Sequence, residues 1–360
     1  MRNTEHYIGL MSGTSLDGID SVIASFDTQT VIHAHHFQPY PKAIKHALTQ
    51  LIDQQHGTLL EIGTLQQHLS ILYAQAVNTL KQRHPQLASS LQAVGCHGQT
   101  IYHQPEGEQL FSWQLINAHT LAQHIQLPII TDFRGMHMAL GGQGAPLAPL
   151  FHDAVFRHPH VSRAIVNIGG ISNISILKPD APLLGFDTGP GNTLLDQWIQ
   201  KHQHQAYDHN GQWAATGTCN TTLLNRLLED DFFKQPAPKS TGREIFNLAW
   251  LESHLHDSAD TPANVQTTLT ELTACTITQS LSHDPVDEIY LCGGGARNRF
   301  LLERLKALST QTIQTTETLG IACDQVEASL IAWLTQKRFQ QERLSLNGKK
   351  PILMGVIYTP

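Results

Sequence analysis

The chain has 360 residues, a formal net charge of −7 and 41% hydrophobic residues, a composition typical of a globular protein with room for two domains. No basic block is available to neutralise nucleic-acid phosphates, and no apolar run approaches the ~20 residues of a membrane-spanning helix. The five cysteines are scattered, and the N-terminus lacks a signal-peptide pattern, so a reduced, cytoplasmic protein is expected.

Strand-like and helix-like runs alternate along the chain, which is the pattern of an α/β protein. The predicted strands are HYIGLMSG, DSVIASFD, LQAVGCHG, PIITDF, SRAIVNIGG, SNISIL, LLGFDTG, DEIYLCGGG and QTIQTT. Helical spacing of apolar residues predicts helices over TLLEIGTLQQHLSILYAQAVNTLKQ, from Asn264 through Leu281, and from an N-cap at Asp324 to near Lys337. FFKQPAPKSTGREIF is predicted as a surface loop.

A domain boundary is placed next to the strand PIITDF. It gives a first domain of residues 1–133 with the tail 341–360, and a second domain of residues 134–340. The 22 histidines include two local groups, His33 to His36 and His202 with His204, and neither has zinc-site spacing. We expect solvated surface histidines there, with metal binding left open.

The segment GTSLDG, residues 13–18, is the first candidate for anion binding. Its glycines permit a positive φ and a close approach of the backbone to an anion, and its threonine and serine add hydroxyl donors. Asp17 and Asp20 are spaced to hold a hydrated Mg²⁺. The G-x-x-x-x-G spacing resembles a Walker loop, but Ile19 stands where lysine is needed, which excludes that loop. A plain β-turn is the alternative.

Two later segments also have glycines between β-rich or helical runs. IVNIGGISNISIL repeats the strand–turn–strand pattern of IGLMSGTSLDGIDSVIA, so a duplicated fold would place both turns at one cleft, although glycine hairpins are common. LCGGGARNRFLLERL predicts a strand that ends in glycines 293–295 and leads into a helix, where free amides suit a phosphate or a flat ring. It lacks the third glycine of a dinucleotide motif, and a tight connection is the alternative.

Asp187 ends a short apolar strand in GFDTGPGNTLLDQWI, and a helix opens near Asn192. A carboxylate at the carboxyl edge of a strand is well placed as a general base, but an aspartate there also caps turns and helices. The local sequence leaves both readings open.

Polar side chains follow two other predicted strands. His97, Gln99 and Thr100 follow LQAVGC, and Arg134 follows PIITDF. Such positions suit sugar hydroxyls and a carboxylate, for which arginine is a bidentate partner, with ordinary polar loops as the alternative. Glu327 lies three residues after the aspartate that begins the last predicted helix, a spacing that indicates a capping box.

In chain order, the segments MSGTSLDGID, GCHGQT, TDFRGMHMALGGQGAPL, NIGGISN, GFDTGPGN and CGGGARN resemble the anhydro-N-acetylmuramic acid kinase family. The resemblance extends from Ile8 to about Trp333 without a departure at a motif position. It implies an actin-like, hexokinase-like (ASKHA) ATPase fold, with two related α/β domains around a central nucleotide cleft. The two turns then resemble the phosphate-1 and phosphate-2 elements, and CGGGARN resembles the adenosine element.

The resemblance also implies a reaction, in which ATP and water convert 1,6-anhydro-N-acetylmuramic acid to N-acetylmuramic acid 6-phosphate during peptidoglycan recycling. Asp187 is then the base that deprotonates the attacking water, and the freed O6 takes the γ-phosphoryl group. Asp17 and Asp20 are assigned to Mg²⁺, through water. The implied residues for ATP are Gly13, Thr14, Ser15, Leu16, Asp17, Gly18, Ile19, Asp20, Gly169, Gly170, Gly293, Gly294 and Gly295.

The candidates for the substrate shell are Gln99, Thr100, Arg134 and Glu327, with Arg134 assigned to the lactyl carboxylate. The expected partner is thus a small amino sugar, neither nucleic acid nor a membrane is expected, and a homodimer is left open. Two alternatives remain. One is an amino-sugar kinase of the same fold that acts on a free hydroxyl, and the other is a non-catalytic actin-like ATP-binding protein.

Overall fold

The computed structural model describes residues 4–255, 260–282, 284–346 and 350–360. Contacts divide the chain into two compact units: unit 1 is Met1–Phe151 with Gln325–Pro360, and unit 2 is His152–Asp324. This division differs from the boundary placed at 133/134, because the segment up to Phe151 and the last long helix pack with unit 1. Within the described ranges, no helix is both long and apolar enough to span a membrane.

Unit 1 is built on a mixed sheet. Its strands are β1 (His6–Met11), β2 (Gly18–Phe26), β3 (Thr30–Pro39), β4 (Leu91–Cys96), β7 (Ile129–Thr131) and β13 (Val356–Tyr358). They lie in the order β13-β7-β4-β1-β2-β3. β1, β2 and β3 form an antiparallel meander, while β4 pairs parallel with both β1 and β7. A separate hairpin consists of β5 (Gln99–Gln104) and β6 (Phe111–Leu115).

Helices of unit 1 pack against this sheet, against the β5–β6 hairpin and against one another. They are α1 (Lys42–Gln54), α2 (Leu59–Arg83), α3 (Pro85–Ala88), α4 (Ala118–Ile125), α5 (Gly135–Ala139), α6 (Ala148–Phe156, which includes the unit boundary) and α13 (Val326–Phe339). The predicted long helix α2 is confirmed, and it begins with a capping box between Thr58 and Glu61. Its leucines at 65, 69, 72 and 80 are buried in the core as the spacing predicts.

Two glycines let α13 lie directly on the sheet. Gly9 of β1 and Gly95 of β4 are paired in register. A Cβ atom at Gly9 would lie 2.0 Å from the carbonyl oxygen of Ala328 and 2.5 Å from the amide nitrogen of Ala332, and one at Gly95 would lie 1.8 Å from Thr335 Oγ1. The helix and sheet backbones therefore approach too closely for any side chain at either glycine.

Unit 2 is built on a five-stranded sheet. Its strands are β8 (Arg163–Ile168), β9 (Ile171–Leu177), β10 (Leu184–Pro190), β11 (Glu288–Cys292) and β12 (Thr312–Thr315), in the order β10-β9-β8-β11-β12. Its helices are α7 (Thr193–Gln203), α8 (Thr221–Leu228), α9 (Asp231–Lys234), α10 (Leu248–Leu255), α11 (Pro262–Ser280) and α12 (Arg299–Leu308). α11 confirms the helix predicted from Asn264, and it is buried on nearly all sides.

The two units share one strand topology. In each, three antiparallel strands are followed by two parallel ones, in the order β3-β2-β1-β4-β7 in unit 1 and β10-β9-β8-β11-β12 in unit 2. The turns after β1 and after β8 thus occupy the same topological place. The sequence echo between GTSLDG and NIGGISN therefore reflects a shared architecture.

All the predicted strands are present, but the histidine-rich segment from His33 to His36 was not expected to be one. It belongs to β3, where His35 is partly buried and its Nε2 lies 3.0 Å from Asp20 Oδ1. His202 is also not simply solvated, because its ring packs 4.1 Å from that of Trp198. Among the described residues, no cluster of three or more histidine, cysteine or acidic side chains is arranged to hold a metal ion. All five cysteines are free thiols.

Candidate functional site

The turn between β1 and β2 carries the first predicted phosphate element. A Cβ at Gly13 would meet no atom nearer than 3.8 Å, so the space beside this glycine is open to a ligand. Neither Gly13 nor Gly18 has a positive φ, contrary to our expectation; the left-handed residue is Leu16, at φ 55° with its side chain buried. Gly18 is needed for packing, because a Cβ there would lie 2.4 Å from the carbonyl oxygen of Gln38 in β3.

Buried polar side chains support this turn through hydrogen bonds. Gln99 is fully buried; its amide nitrogen donates to the Gly13 carbonyl at 3.2 Å, and its oxygen accepts from Tyr40 at 3.1 Å. Ser12 and Tyr73 share a hydrogen bond of 2.6 Å between their hydroxyls. Burial raises the pKa of Tyr40 to about 12, so its hydroxyl stays protonated and can donate. These contacts fix the path of the turn before any ligand binds.

The two acidic residues of this turn have different surroundings. Asp17 is exposed, and its Oδ1 accepts a hydrogen bond of 2.7 Å from the hydroxyl of Ser15. Asp20 is partly buried on β2 and is paired with His35. Carboxylate oxygens are the ligands that Mg²⁺ prefers, and this ion usually keeps several waters. The exposed carboxylate of Asp17 has this chemistry, whereas Oδ1 of Asp20 is already engaged by His35. Thr14 is exposed and Ile19 is fully buried.

Arg134 lies in a buried polar cluster of unit 1. Its Nε donates to His97 Nε2 at 3.1 Å, and its Nη1 donates to the Gly144 carbonyl at 2.7 Å. Burial, followed by the nearby guanidinium, lowers the pKa of His97 to about 3, so this histidine is a neutral acceptor whose Nδ1 donates to Gly98 O. Burial lowers the pKa of Arg134 to about 10, and the charge of Glu327 opposes that shift. The guanidinium therefore keeps its charge at neutral pH.

The cap predicted for the last helix is wrong. α13 starts at Val326 with Gln325 as its N-cap, and no side chain caps it. Asp324 instead accepts from Arg297 Nη2 at 2.6 Å. Because the capping box does not form, the structural explanation for Glu327 is lost, and its charge acts on Arg134. Thr100, the remaining predicted substrate residue, accepts from Gln114 Nε2 at 3.2 Å in the β5–β6 hairpin.

In unit 2 the predicted glycine motifs converge on Asn192. The carbonyl of Gly169 accepts from the Asn192 amide at 2.8 Å, and that of Gly170 accepts from Gly191 at 2.9 Å. A Cβ at Gly295 would lie 3.0 Å from Asn192 Oδ1 and 2.3 Å from Ile168 Cγ2. NIGGISN, GPGN and CGGGARN are thus packed together, which sequence reasoning proposed only through the resemblance.

The glycine junction after β11 differs from the predicted strand-to-helix connection. A 3₁₀ turn, Gly294–Arg297, separates the strand from α12, whose N-cap is Asn298. Gly293 has a φ of 79°, and a Cβ there would lie 2.4 Å from Asn167 Oδ1. At Gly294, by contrast, a Cβ would meet nothing closer than 3.9 Å. Gly294 is therefore the residue of this junction that leaves open space for a ligand.

Asp187 is a buried carboxylate on β10. Only 8% of the residue is exposed, and burial raises its pKa to about 6, against the opposing effect of hydrogen bonds from Thr241 and Ser240. Its Oδ2 accepts from Ser240 Oγ at 2.8 Å and from the Thr241 amide at 3.0 Å. Among the described residues, no hydrogen bond reaches Oδ1. In the described part of the chain Asp187 caps no helix, but through these two hydrogen bonds it does hold the loop at residues 240–241.

Ser240 and Thr241 were missed because they lie in the segment predicted as an ordinary surface loop. The only signal in the sequence is KSTG, a run of hydroxyl residues next to glycine and between charged residues. Their contact with Asp187 joins positions more than 50 residues apart in the chain, which local patterns do not encode.

Comparison with known proteins assigns the family. The model of the family described as anhydro-N-acetylmuramic acid kinase matches residues 5–359. The chain is 44% identical to the enzyme of that name from Pasteurella multocida over 99% of this chain and 97% of the other. It is 43% identical to that from Haemophilus influenzae, over 98% of each chain. The chain belongs to the anhydro-N-acetylmuramic acid kinase family.

A solved structure, the activator of 2-hydroxyisocaproyl-CoA dehydratase from Clostridium difficile with bound ADPNP, aligns over 95% of this chain and 99% of its own. The TM-score is 0.48 and the sequence identity is 12%. The family match and the two α/β units of shared topology confirm the predicted fold class, an actin-like ATPase fold.

Proposed function

We propose that this protein is an ATP-dependent kinase that opens the 1,6-anhydro ring of 1,6-anhydro-N-acetylmuramic acid with water and phosphorylates O6. The products are N-acetylmuramic acid 6-phosphate and ADP, which suits a step in peptidoglycan recycling in the cytoplasm. Membership of the family, over nearly the whole chain, supports the substrate. The single structural observation that supports the chemistry is Asp187, a buried carboxylate with one oxygen held by two donors.

Asp187 has the properties of a general base. With a pKa of about 6 it is ionised at neutral pH, yet it is more basic than an ordinary aspartate. In the proposed reaction its Oδ1 takes a proton from water, and the water oxygen bonds to the anomeric carbon as the bond from that carbon to O6 breaks. The freed O6 then bonds to the γ-phosphorus, and ADP leaves. This combines the water activation of an inverting glycosidase with phosphoryl transfer.

The turn of unit 1 supplies the phosphate cradle in this proposal. Residues 13–20 would bind the phosphates through backbone amides and hydroxyls, with the open side of Gly13 toward the ligand. Asp17 and Asp20 would hold Mg²⁺ through its waters, and the ion would neutralise charge on the transferred phosphoryl group. In unit 2, Gly169, Gly170 and glycines 293–295 are also proposed to bind ATP, and the open space at Gly294 supports that assignment.

The sugar shell is assigned to unit 1. Arg134 would bind the lactyl carboxylate, since its guanidinium keeps its charge and is oriented by His97 and Gly144. Thr100 and Glu327 are proposed to contact sugar hydroxyls. Gln99 is a weaker candidate for direct contact, because its amide is buried and engaged by Gly13 and Tyr40. We propose that it acts through the phosphate turn.

The test supplies ATP with either the 1,6-anhydro sugar or free N-acetylmuramic acid, and identifies products by mass spectrometry. We expect a product from the anhydro sugar that has gained one water and one phosphoryl group. Turnover of the free sugar alone would refute the proposed reaction and favour an ordinary amino-sugar kinase.

Variants of two aspartates test the role of the base. Asp187→Asn should retain ATP binding and lose product formation by ~10²-fold or more. Asp180→Asn, at an exposed position in the connection before β10, is the matched control and should behave like the wild type. Full activity of Asp187→Asn would contradict the assignment, and binding of ATP without any turnover by the wild type would indicate a non-catalytic protein.

A further inference from the structure

Three consecutive residues of the segment 239–241 contact Asp187, and we call this segment the base clamp. The Asp187 amide donates to the Lys239 carbonyl at 2.9 Å. The Ser240 hydroxyl and the Thr241 amide both donate to Oδ2 of the carboxylate, at 2.8 and 3.0 Å. The backbone and the side chain of Asp187 are therefore held by the same short segment.

The base clamp is itself fastened to the interior of unit 2. Lys239 Nζ donates to the carbonyls of Phe232 and Phe233 at 2.9 and 3.2 Å, and it lies 4.5 Å from the centre of the Phe232 ring. Phe232 is buried and belongs to an apolar cluster of unit 2. Burial lowers the pKa of Lys239, as expected for an ammonium group drawn against apolar surface. The donors that reach Asp187 therefore start from an anchored backbone.

We propose that Ser240 is a positioning residue for the reaction, whose hydroxyl fixes the Asp187 carboxylate so that Oδ1 remains available to the attacking water. The inference rests on the proposed role of Asp187 as the base. Both hydrogen bonds are accepted by the same carboxylate oxygen, Oδ2, which fixes the rotation of the carboxylate about its Cβ–Cγ bond. Losing the Ser240 donor would leave only the backbone amide to set that rotation.

The hydroxyl of Ser240 should also set the basicity of Asp187. Burial and the nearby charge of Glu244 favour the protonated acid, while the two hydrogen bonds favour the carboxylate. The other charged side chains of the adjoining loop are Lys239 and Arg243, and the residue paired with Asp187 on β9 is Asn173, which is uncharged. Removal of one donor should therefore raise the pKa of Asp187 above about 6.

Ser240 and Thr241 contribute through different groups, and this difference can be tested. Ser240 donates through its side chain, whereas Thr241 donates through its backbone amide and its buried Oγ1 has no hydrogen-bond partner among the described residues. Ser240→Ala removes a donor to Asp187. Thr241→Val removes a hydroxyl while keeping nearly the same side-chain size, and it leaves the backbone amide that donates to Asp187.

The experiment measures kcat and KM from about pH 5 to pH 9. For Ser240→Ala we expect the acid limb of the kcat profile to move up by about one pH unit or more, because a hydrogen bond to a charged group is stronger than one between neutral groups and its loss favours the protonated acid. KM for ATP and for the anhydro sugar should change by less than about twofold. For Thr241→Val the acid limb should move by less than for Ser240→Ala. For Ser240→Thr, which keeps a hydroxyl donor, the limb should lie at its wild-type position.

Ser253→Ala, at an exposed serine of α10, is the control and should match the wild type. If Ser240→Ala does not fold, Ser240→Cys replaces it, and the weaker donor should move the limb in the same direction. An unchanged acid limb with a uniform loss of kcat at every pH would overturn the inference, as would a larger shift for Thr241→Val. Full activity of Asp187→Asn would instead refute the proposed function itself.

Discussion

A methyl group at Gly9 should force the last long helix away from the sheet of unit 1. The Cβ of Gly9→Ala would lie 2.0 Å from the Ala328 carbonyl oxygen and 2.5 Å from the Ala332 nitrogen, whereas ordinary contacts begin near 3.4 Å. Both obstacles are backbone atoms of α13, which cannot rotate aside as a side chain can. Relief of the overlap therefore requires a shift of the whole helix by roughly 1 Å or more.

The size of the effect follows from that shift. Overpacking a core costs about 1–3 kcal/mol, and an obstacle made of backbone favours the upper end. α13 also carries Leu330, Ile331 and Trp333, which are all buried, so their contacts weaken together when the helix moves. We expect a loss of about 3 kcal/mol, which is on the order of 100-fold in the unfolding equilibrium. The intrinsic conformational preference acts against this loss of stability, because alanine is favoured over glycine within a strand by roughly 0.5–1 kcal/mol.

Hydrogen–deuterium exchange of peptides from α13, together with urea unfolding, measures this loss within unit 1. Gly63→Ala is the matched control, because it lies in α2 where a Cβ would meet nothing within 4 Å, and it should stabilise the protein by about 1 kcal/mol. Exchange in α13 that is as slow in Gly9→Ala as in the wild type would show that the sheet accommodates the methyl group, and the close-approach argument would fail.

Two further predictions concern titratable groups. Because burial raises the pKa of Asp187 from 3.8 to about 6, the native state binds its proton more tightly than the unfolded chain, and stability falls as pH rises between these values. Asp187→Asn should therefore melt at a higher temperature than the wild type near pH 8 but not near pH 4; an equal difference in calorimetry at both pH values would contradict this. His97→Leu removes the acceptor for Arg134 Nε and should raise KM for the anhydro sugar about tenfold, with a smaller change in kcat. Steady-state kinetics at saturating ATP, with the anhydro sugar varied, measure this change. An unchanged KM would refute the role of His97.

Periodicity predicted most of the fold because the buried strands and long helices have clear apolar patterns. β3 was missed because TVIHAHHFQP is an edge strand in which one residue, Ala34, is buried and the others are partly or fully exposed. Its alternation is therefore weak, and its histidines suggested a solvated segment.

The site shows a different limit. Asp187 was selected because the sequence predicts that a strand ends there, but this prediction is wrong: β10 continues to Pro190, and Asp187 lies in its middle beside a shift in register. Its donors Ser240 and Thr241 come from a loop distant in sequence. The helix cap at Asp324 was predicted from a local sequence pattern. In the fold, however, the Asp324 carboxylate accepts a hydrogen bond from Arg297, and the helix starts at Val326. Where a side chain had a partner far along the chain, tertiary contacts overrode the local pattern.

The close contact of α13 with Gly9 and Gly95 also affects the order in which the molecule can be completed. Unit 2 is one continuous stretch, whereas unit 1 needs residues from both sides of it. A chain made from its N-terminus exposes β1 and β4 first, and synthesises all of unit 2 before α13 can cover them. The sheet surface at Gly9 and Gly95 therefore stays uncovered during most of translation. The unit that begins first is finished last.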